Sequence, residues 1–343
     1  MRDVATEHAA VKYRKLGRTG LEISEVIFGG GAVGGILINA DDETRRTAIR
    51  QSLNGGINWI DSAASYGNGK SETALGWLLK ELPENDRPYV STKTAVDRNA
   101  GDYAGQVEKA ISASLDRMQM DSVDLYQLHN RLAVDAANVP NSLTPDDILK
   151  PGGVADAFQS LVDKGLTRHT GFTCTGEAEA MHKVTASGRF ETAQVYYNLL
   201  NPSAGRDMPP NWNAYDQQNI IAAAEKHDVG VMVIRVFAAG IIATDTRTGK
   251  EGGVVLHGDV ASDEARMRAV VPLLTPDLGA RSQVAIRYAL RNGGVSGVVV
   301  GLAELEHLRL SLEAAEMGPL PASVLEKLDK LADANFGTKS AHL

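Results

Sequence analysis

Short apolar runs alternate with longer segments of helical periodicity along nearly the whole chain. The apolar runs predict buried strands near residues 26–28, 57–60, 89–92, 123–128, 167–172, 193–197, 230–235 and 296–300. The segments between them predict helices near 43–54, 71–80, 103–118, 153–164, 177–185, 215–227, 282–291 and 304–316. Eight strand-plus-helix units in strict alternation indicate an α/β protein of the (β/α)8 TIM barrel class.

Two further segments flank the repeat. Glycines between two short mixed runs at 13–24 predict an N-terminal β-hairpin that caps one end of the barrel. A surplus helix is expected at 322–334, after the last repeat unit. Because no composition break or Pro/Ser-rich linker divides the chain, we expect a single domain over 1–343, with the barrel proper at about 24–316.

Composition and charge narrow the classes of function. The formal net charge of −8 is spread without basic clusters, which argues against a nucleic-acid or anionic-membrane surface and favours a small-molecule substrate. A single cysteine, Cys174, excludes an intrachain disulfide framework, and the eight histidines show no ligand-like clustering, so no metal site is expected. Residues 1–11 lack the apolar stretch of a secretion signal and no run is long enough to span a membrane, so the prediction is a cytoplasmic protein. Oligomeric state is not readable from the sequence.

Four polar residues fall at or just beyond the ends of three successive predicted strands. Asp61 and Tyr66 follow the strand at 57–60, Lys93 ends the next strand, and His129 follows the third. Because the carboxyl ends of the strands in a parallel barrel line one rim, these side chains are expected to converge. Together they have the types needed to move a proton during hydride transfer.

Each of the four side chains has a role in that interpretation. Tyr66 is the candidate general acid, and a nearby Lys93 ammonium is expected to stabilise its phenolate and lower its pKa. Asp61 would keep Lys93 charged and oriented, and His129 could hydrogen-bond the carbonyl oxygen. Reduction of an aldehyde or ketone, or oxidation of an alcohol in reverse, would follow.

Three connections are longer than ordinary βα turns and would rise on the same rim, at 130–151, 199–214 and 238–279. Long loops there predict a substrate pocket. Aromatic and hydrogen-bonding groups in and just after the second loop would suit a polyol or a sugar-like molecule; they are Arg206, Asp207, Asn211, Trp212, Asn213 and Tyr215.

Two motifs offer competing interpretations. Residues 29–34 spell the G-x-G-x-x-G of a Rossmann fold, but residues 36–42 intervene before helical periodicity begins, so a flexible turn on the barrel rim is favoured. Tyr66 and Lys70 spell the Tyr-x-x-x-Lys of short-chain dehydrogenases, which requires both on one helix. The two glycines between them disfavour a helix there.

Several segments of the chain resemble motifs of the aldo-keto reductase superfamily. Asp61-Ser62-Ala63-Ala64-Ser65-Tyr66-Gly67, Val90-Ser91-Thr92-Lys93 and Asp124-Leu125-Tyr126-Gln127-Leu128-His129 are similar to the family's Asp, Tyr, Lys and His motifs, and residues 13–21 resemble its opening hairpin. The resemblance implies a (β/α)8 barrel that binds a nicotinamide dinucleotide without a Rossmann domain. It also implies a catalytic tetrad of Asp61, Tyr66, Lys93 and His129, with Tyr66 as the acid.

The resemblance further implies a set of cofactor contacts. Thr173, Cys174 and Gln194 correspond to the residues that hold the nicotinamide carboxamide, although Cys174 replaces an amide, and Phe237 would replace an aromatic ring normally found at Val236. The remaining expected cofactor contacts are Gly30, Asp61, Gly240, Gly301, Leu302, His307 and Ser311.

Cofactor preference and turnover stay open at this point. The family favours NADP(H), whose 2′-phosphate needs cationic donors, whereas His307 and Arg309 beside Glu304 and Glu306 would suit NAD(H). An alternative from another class is a nucleotide-binding regulatory or sensor module with an aldo-keto reductase-like barrel and little turnover.

Overall fold

A computed structural model describes residues 11–31, 33–247, 249, 251 and 259–338. Its strands are β1 Tyr13–Lys15, β2 Glu22–Ser24, β3 Val26–Gly29, β4 Trp59–Asp61, β5 Tyr89–Thr94, β6 Val123–Leu128, β7 Arg131–Leu132, β8 Ser142–Leu143, β9 Thr167–Cys174, β10 Thr192–Tyr196, β11 Gly230–Ile234 and β12 Val295–Gly301. Its α-helices are α1 Ile36–Asn39, α2 Asp42–Asn54, α3 Lys70–Lys80, α4 Tyr103–Met118, α5 Pro145–Leu149, α6 Val154–Asp163, α7 Ala178–Ala186, α8 Ile220–Lys226, α9 Val260–Val270, α10 Arg281–Leu290, α11 Leu305–Glu316 and α12 Ala322–Asp333.

Eight parallel strands close a barrel in the order β3-β4-β5-β6-β9-β10-β11-β12, and β12 pairs with β3 to complete it. The predicted TIM barrel is therefore confirmed. Side chains on the outer face of each strand pack against the surrounding helices and form one large apolar core. A register shift between Val231 and Met232 interrupts the pairing of β11 with β12.

The N-terminal hairpin closes the barrel end where the strands begin. β1 and β2 pair antiparallel, and Leu16, Leu21 and Ile23 form a buried cluster with side chains inside the barrel that include Trp59 and Met232. The arrangement leaves the opposite end, where the strands finish, as the open mouth.

The structure corrects several details of the predicted helices. α8 begins only at Ile220, because Gln218 and Asn219 have left-handed φ angles of 54° and 55°. The preceding segment is held by side chains instead of helical bonds: Asn201 Nδ2 donates to the Tyr215 carbonyl, and Gln217 N donates to Ser203 Oγ. The predicted helix start at Tyr215 is therefore wrong.

Short helices also occupy stretches predicted as loops. α1 follows the glycine-rich turn within two residues, and α5 begins at a Thr144–Asp147 capping box inside the loop after β6. α9 lies in the loop after β11 and begins at Asp259, whose carboxylate accepts hydrogen bonds from Ala261 N and Ser262 N. Its buried face includes Arg266, which obscures the apolar periodicity that would predict a helix.

Among the described residues, no helix combines the length and apolar character needed to cross a bilayer. The expectation about the leading segment at 1–11 falls outside the described residues, apart from Val11. Val11 is buried in the main core.

Candidate active site

A buried ion pair lies inside the mouth of the barrel. Asp61 is the last residue of β4, and Lys93 is the penultimate residue of the neighbouring β5. Lys93 Nζ donates to Asp61 Oδ2 at 2.6 Å and to the Ser62 carbonyl at 2.6 Å. Because the two side chains are 0% and 1% exposed, the pair is almost fully withdrawn from water.

Tyr66 completes a contact chain with this pair. Its hydroxyl oxygen lies 3.3 Å from Lys93 Nζ, and the ammonium is 4.8 Å from the centre of the Tyr66 ring. Gly67 and Gly69 have φ angles of 60° and 84°, in the left-handed region, so Tyr66 lies on a turn between β4 and α3.

The turn contradicts the helical Tyr-x-x-x-Lys interpretation. Lys70 is exposed at the start of α3, and Lys93 is the lysine in contact with Tyr66. The Rossmann interpretation of residues 29–34 is also wrong, since the strand before it belongs to a closed barrel. A Cβ on Gly34 would lie 2.3 Å from Leu302 N, so the backbone at Gly34 passes close to the segment after β12.

The Asp61 carboxylate accepts more hydrogen bonds than the sequence suggested. Its Oδ1 accepts from Ser91 Oγ at 2.8 Å, from Gln194 Nε2 at 2.7 Å and from Gln127 Nε2 at 3.3 Å. Ser91 Oγ in turn accepts from Trp59 Nε1 at 2.9 Å. These donors hold the carboxylate in one orientation.

Sequence reasoning missed Trp59, Ser91 and Gln127 as contributors to the site. Strand alternation contains a usable signal, since Ser91 and Lys93 are two residues apart on one face of β5 and Gln127 pairs in register with Lys93. Unless it is known which strands are neighbours, all three residues look like ordinary buried strand residues in the sequence.

Burial and neighbouring charges together set the pKa values of Lys93 and Tyr66. Burial alone would lower the pKa of Lys93, but Asp61 and Tyr66 outweigh it and the pKa lies above its ordinary value. Burial raises the pKa of Tyr66, and the Lys93 ammonium only partly opposes this. The expectation of a net lowered pKa for Tyr66 is therefore wrong, and Tyr66 carries its proton at neutral pH.

His129 lies beside Tyr66 at the end of β6. The two rings meet edge to face with centroids 6.0 Å apart. Burial, with a contribution from Lys93, lowers the pKa of His129 to about 3. The imidazole is therefore neutral at physiological pH and can donate a hydrogen bond.

Comparison with known proteins assigns the chain to a family. The sequence profile of the aldo/keto reductase family matches residues 25–333. The chain belongs to the aldo/keto reductase family. Membership implies NAD(P)-dependent oxidoreduction of small carbonyl compounds, with NADP typical of the family.

Relatives agree with the assignment. Aldo-keto reductase YhdN of Bacillus subtilis is 30% identical over 217 residues, which cover 62% of this chain and 60% of that protein. L-galactose dehydrogenase of Arabidopsis thaliana is 30% identical over 309 residues, which cover 89% of this chain and 88% of that protein. The solved holo structure of aldo-keto reductase AKR11C1 from Bacillus halodurans shares the fold, with a TM-score of 0.72 at 22% identity over 94% of this chain and 97% of that one.

Two of the residues expected at the carboxamide of an aldo/keto reductase cofactor face the barrel interior. Thr173 pairs in register with Gln194, and Gln194 contacts Asp61. Thr173 Oγ1 is buried and has no hydrogen-bond partner among the described residues, so it is a hydroxyl available to a ligand. Cys174 follows on the opposite face of β9, where its thiol lies against Thr185 of α7 and burial raises its pKa to about 12.

The other expected cofactor positions lie along the rim. Val236 is 1% exposed, and Phe237 is half-buried against the core. Gly240 has a φ of 105° and open space where a side chain would begin. Gly30 N donates to the Asp61 carbonyl at 2.8 Å, so Gly30 packs behind the ion pair. Gly301 ends β12, and the carbonyl of the following Leu302 accepts from Ile36 N at 2.9 Å.

The end of α11 expected to meet the adenosine phosphate is acidic. His307 Nε2 lies 3.3 Å from a Glu304 oxygen, and Arg309 is paired with Glu306 at 2.5 Å and also with Glu313. The hydroxyl of Ser311, which is 2% exposed, donates to the His307 carbonyl of the same helix. Arg309 and His307 therefore both have carboxylate neighbours within this segment.

Rim side chains proposed for a polyol are engaged within the protein. Arg206 pairs with Asp333 at 2.7 Å, and Asn213 accepts from Arg266 at 2.8 Å. The Trp212 ring lies 4.6 Å from the Arg266 guanidinium, and the Tyr215 hydroxyl donates to the Gly176 carbonyl. These contacts engage four of the six proposed side chains and tie the loop after β10 to neighbouring segments, whereas Asp207 and Asn211 are exposed. The polyol or sugar-like substrate stays a prediction.

Metal-ligand groups are not assembled in the described part of the chain. No three His, Cys, Asp or Glu side chains lie together there in a way that could hold an ion.

Proposed function

We propose that this aldo/keto reductase transfers hydride reversibly between a nicotinamide dinucleotide and a small carbonyl or alcohol, with Tyr66 as general acid and base. The supporting observation is the buried Lys93 ammonium, 2.6 Å from Asp61 Oδ2 and 3.3 Å from Tyr66 Oη. A phenol in contact with an ammonium can give up a proton to an adjacent oxygen and regain it in the reverse direction.

Each side chain has a distinct task in this proposal. The Tyr66 hydroxyl donates its proton to the substrate oxygen, and the Lys93 ammonium stabilises the phenolate that remains. Asp61, held by four donors, keeps Lys93 charged and in place. Neutral His129 donates a hydrogen bond to the same substrate oxygen and orients the carbonyl.

The residues around this site fit a nicotinamide dinucleotide, which supplies the hydride when bound. The fit rests on the unpartnered Thr173 Oγ1, which lies beside Gln194 on the interior face. We propose that Thr173 and Gln194 hold the carboxamide by their side chains. Cys174 would take part only through its backbone, because its thiol faces α7.

For the adenosine end of the dinucleotide we propose NAD(H) over NADP(H). A 2′-phosphate needs free cationic donors. Arg309 and His307 are both paired with glutamates, which would repel the additional charge of the phosphate.

Binding and turnover test the proposal in sequence. The protein is titrated separately with NADH and NADPH, and the preferred cofactor is then followed by absorbance with aldehydes, ketones and sugars. L-galactose belongs in the sugar set because the Arabidopsis relative is named for it. Turnover of any carbonyl or alcohol supports the enzyme, whereas tight cofactor binding without turnover across the panel supports the sensor alternative.

A further inference from the structure

Arg235 is the first residue after barrel strand β11 and lies at the mouth of the candidate site. It follows Ile234, the last residue of β11, and Ile234 pairs in register with Tyr196 of β10. Tyr196 lies two residues beyond Gln194 on the same strand face, and Gln194 contacts the Asp61 carboxylate. The Arg235 carbonyl accepts from Asn198 Nδ2 at 3.0 Å, which fixes the backbone at this rim.

The guanidinium of Arg235 lacks a carboxylate partner within ion-pair distance among the described residues. Its Nη2 donates to the Glu251 carbonyl at 3.0 Å, and its buried Nε finds no acceptor in the part of the chain that the structure describes. Arg247, in the following loop, is instead paired with Glu264 at 2.7 Å. A partly buried guanidinium retains its charge, so an unsatisfied N–H there is a ready donor to an anion.

Arg235 and Arg266 of α9 both act on one carboxyl group, that of Asp263. Arg266 Nη1 donates to the Leu200 carbonyl at 2.9 Å. Asp263 faces both guanidinium groups without reaching either within ion-pair distance, and burial raises its pKa to about 6. Tyr196 and Asp263 are the groups that act electrostatically on Arg235. Two arginines therefore share one carboxyl group, whose single charge cannot neutralise both.

The backbone at Arg235 is strained. Its φ of 56° lies in the left-handed region that favours glycine, and Ala238 and Ala239 shortly after it have φ angles of 46° and 56°. Strained backbone of this kind clusters at ligand-binding segments, where it aims side chains that a regular strand could not.

We propose that Arg235 binds an anionic oxygen group of a ligand at the barrel mouth, either a carboxylate on the carbonyl substrate or the diphosphate of the cofactor. The inference deepens the proposed function and rests on it. It identifies Arg235 as the residue that selects charged ligands over neutral ones of the same size.

The test uses three variants of the full-length protein. Arg235→Met removes the charge and keeps the aliphatic stem, Arg235→Lys keeps the charge, and Arg247→Met is a control at an arginine that already has a carboxylate partner. Thermal unfolding followed by circular dichroism verifies that each variant is folded. Dissociation constants for NADH, inorganic pyrophosphate and succinate are measured by titration calorimetry, which needs no turnover. KM is measured for succinic semialdehyde and for butanal, which differ mainly in the carboxylate.

The result separates the two sources of the anion. If Arg235 binds the cofactor diphosphate, Arg235→Met weakens the binding of NADH and pyrophosphate about 10- to 100-fold, as expected for one charge-assisted contact. The ratio of the KM values for succinic semialdehyde and butanal then stays unchanged. With a substrate carboxylate, Arg235→Met raises KM for succinic semialdehyde and weakens succinate binding by a similar factor, while NADH and butanal are unaffected. Arg235→Lys recovers part of the loss in either case, and Arg247→Met shows none.

Two outcomes overturn the inference. One is that Arg235→Met changes every constant by less than about twofold; the other is that the unaltered protein binds none of the three anionic ligands. A failure of the proposed function looks different, because NADH, pyrophosphate or succinate would still bind in an Arg235-dependent way while neither aldehyde is turned over.

Discussion

Replacing Asp61 by asparagine removes the charge that holds Lys93 in the barrel. The side chain keeps nearly the same shape, but the variant has one carbonyl oxygen where the carboxylate accepts from Lys93, Ser91, Gln127 and Gln194. Lys93 is fully buried, so the variant must either keep an unpaired ammonium or lose a proton. Breaking a buried pair in this way costs about 3–5 kcal/mol.

Loss of the proton from Lys93 limits how far Asp61→Asn can destabilise the protein. The ordinary pKa of lysine is 10.5, so a neutral Lys93 at pH 7 costs about 1.36 kcal/mol for each of roughly 3.5 pH units, or about 5 kcal/mol. Burial, no longer opposed by Asp61, places the folded-state pKa of Lys93 below its unfolded value in the variant. The unfolded variant then binds more protons than the folded one, so its stability rises with pH by up to about 1.36 kcal/mol per unit toward pH 10.

The wild type behaves in the opposite sense. The folded-state pKa of Lys93 is raised, so the stabilisation from the pair is fully present below the unfolded pKa of 10.5 and is lost only as pH rises through the folded pKa. Denaturant unfolding at pH 7 and pH 9 should show a destabilisation of about 3–5 kcal/mol by Asp61→Asn at pH 7 that is smaller at pH 9.

Glu108→Gln provides the control, because Glu108 pairs at 2.7 Å with Lys164 and both side chains are about half exposed. An exposed pair of this kind contributes up to about 1 kcal/mol, with little dependence on pH in this range. A loss below about 1 kcal/mol for Asp61→Asn, equal at both pH values, would refute the assignment of Lys93 as a buried cation held by Asp61.

Three further predictions concern neighbouring groups. Ser91→Ala should lower kcat about tenfold and move the alkaline limb of the kcat–pH profile, because it removes a hydrogen-bond donor from Asp61. The control Ser52→Ala loses only a hydrogen bond to the Ala48 carbonyl in α2, so it should not move that limb. His129 should add no limb to the kcat profile between pH 5 and 8. Because its folded-state pKa of about 3 lies below the unfolded value of 6.5, the protein should lose stability as pH falls from about 6.5 toward 3. A His129→Gln variant should lack this loss of stability. Glu306→Lys should improve NADPH affinity relative to NADH about tenfold or more, measured by fluorescence titration, and Glu326→Lys on α12 should leave the ratio unchanged.

The barrel was predictable because its strands are buried on both faces and read as apolar runs that alternate with helices. The boundaries of α8 and the existence of α9 were not, because tertiary contacts decide them. Asn201 and Ser203 hold the segment before α8 in a non-helical path, and Arg266 interrupts the apolar face of α9.

The contact between Asp61, Lys93 and Tyr66 could be predicted from one rule, that parallel strands end at one rim. The direction of the Tyr66 pKa could not, because it depends on how completely the turn and its neighbours exclude water. The orientation of Cys174 could have been predicted, since alternation along β9 turns its side chain away from that of Thr173 and toward α7.

Turnover after Tyr66→Phe tests the central claim most directly. The variant keeps the ring that faces His129 and loses only the hydroxyl beside Lys93. With a carbonyl substrate found in the panel, kcat should fall by about 100-fold or more, while the dissociation constant of NADH stays within about twofold. A kcat equal to that of the unaltered protein would contradict the account.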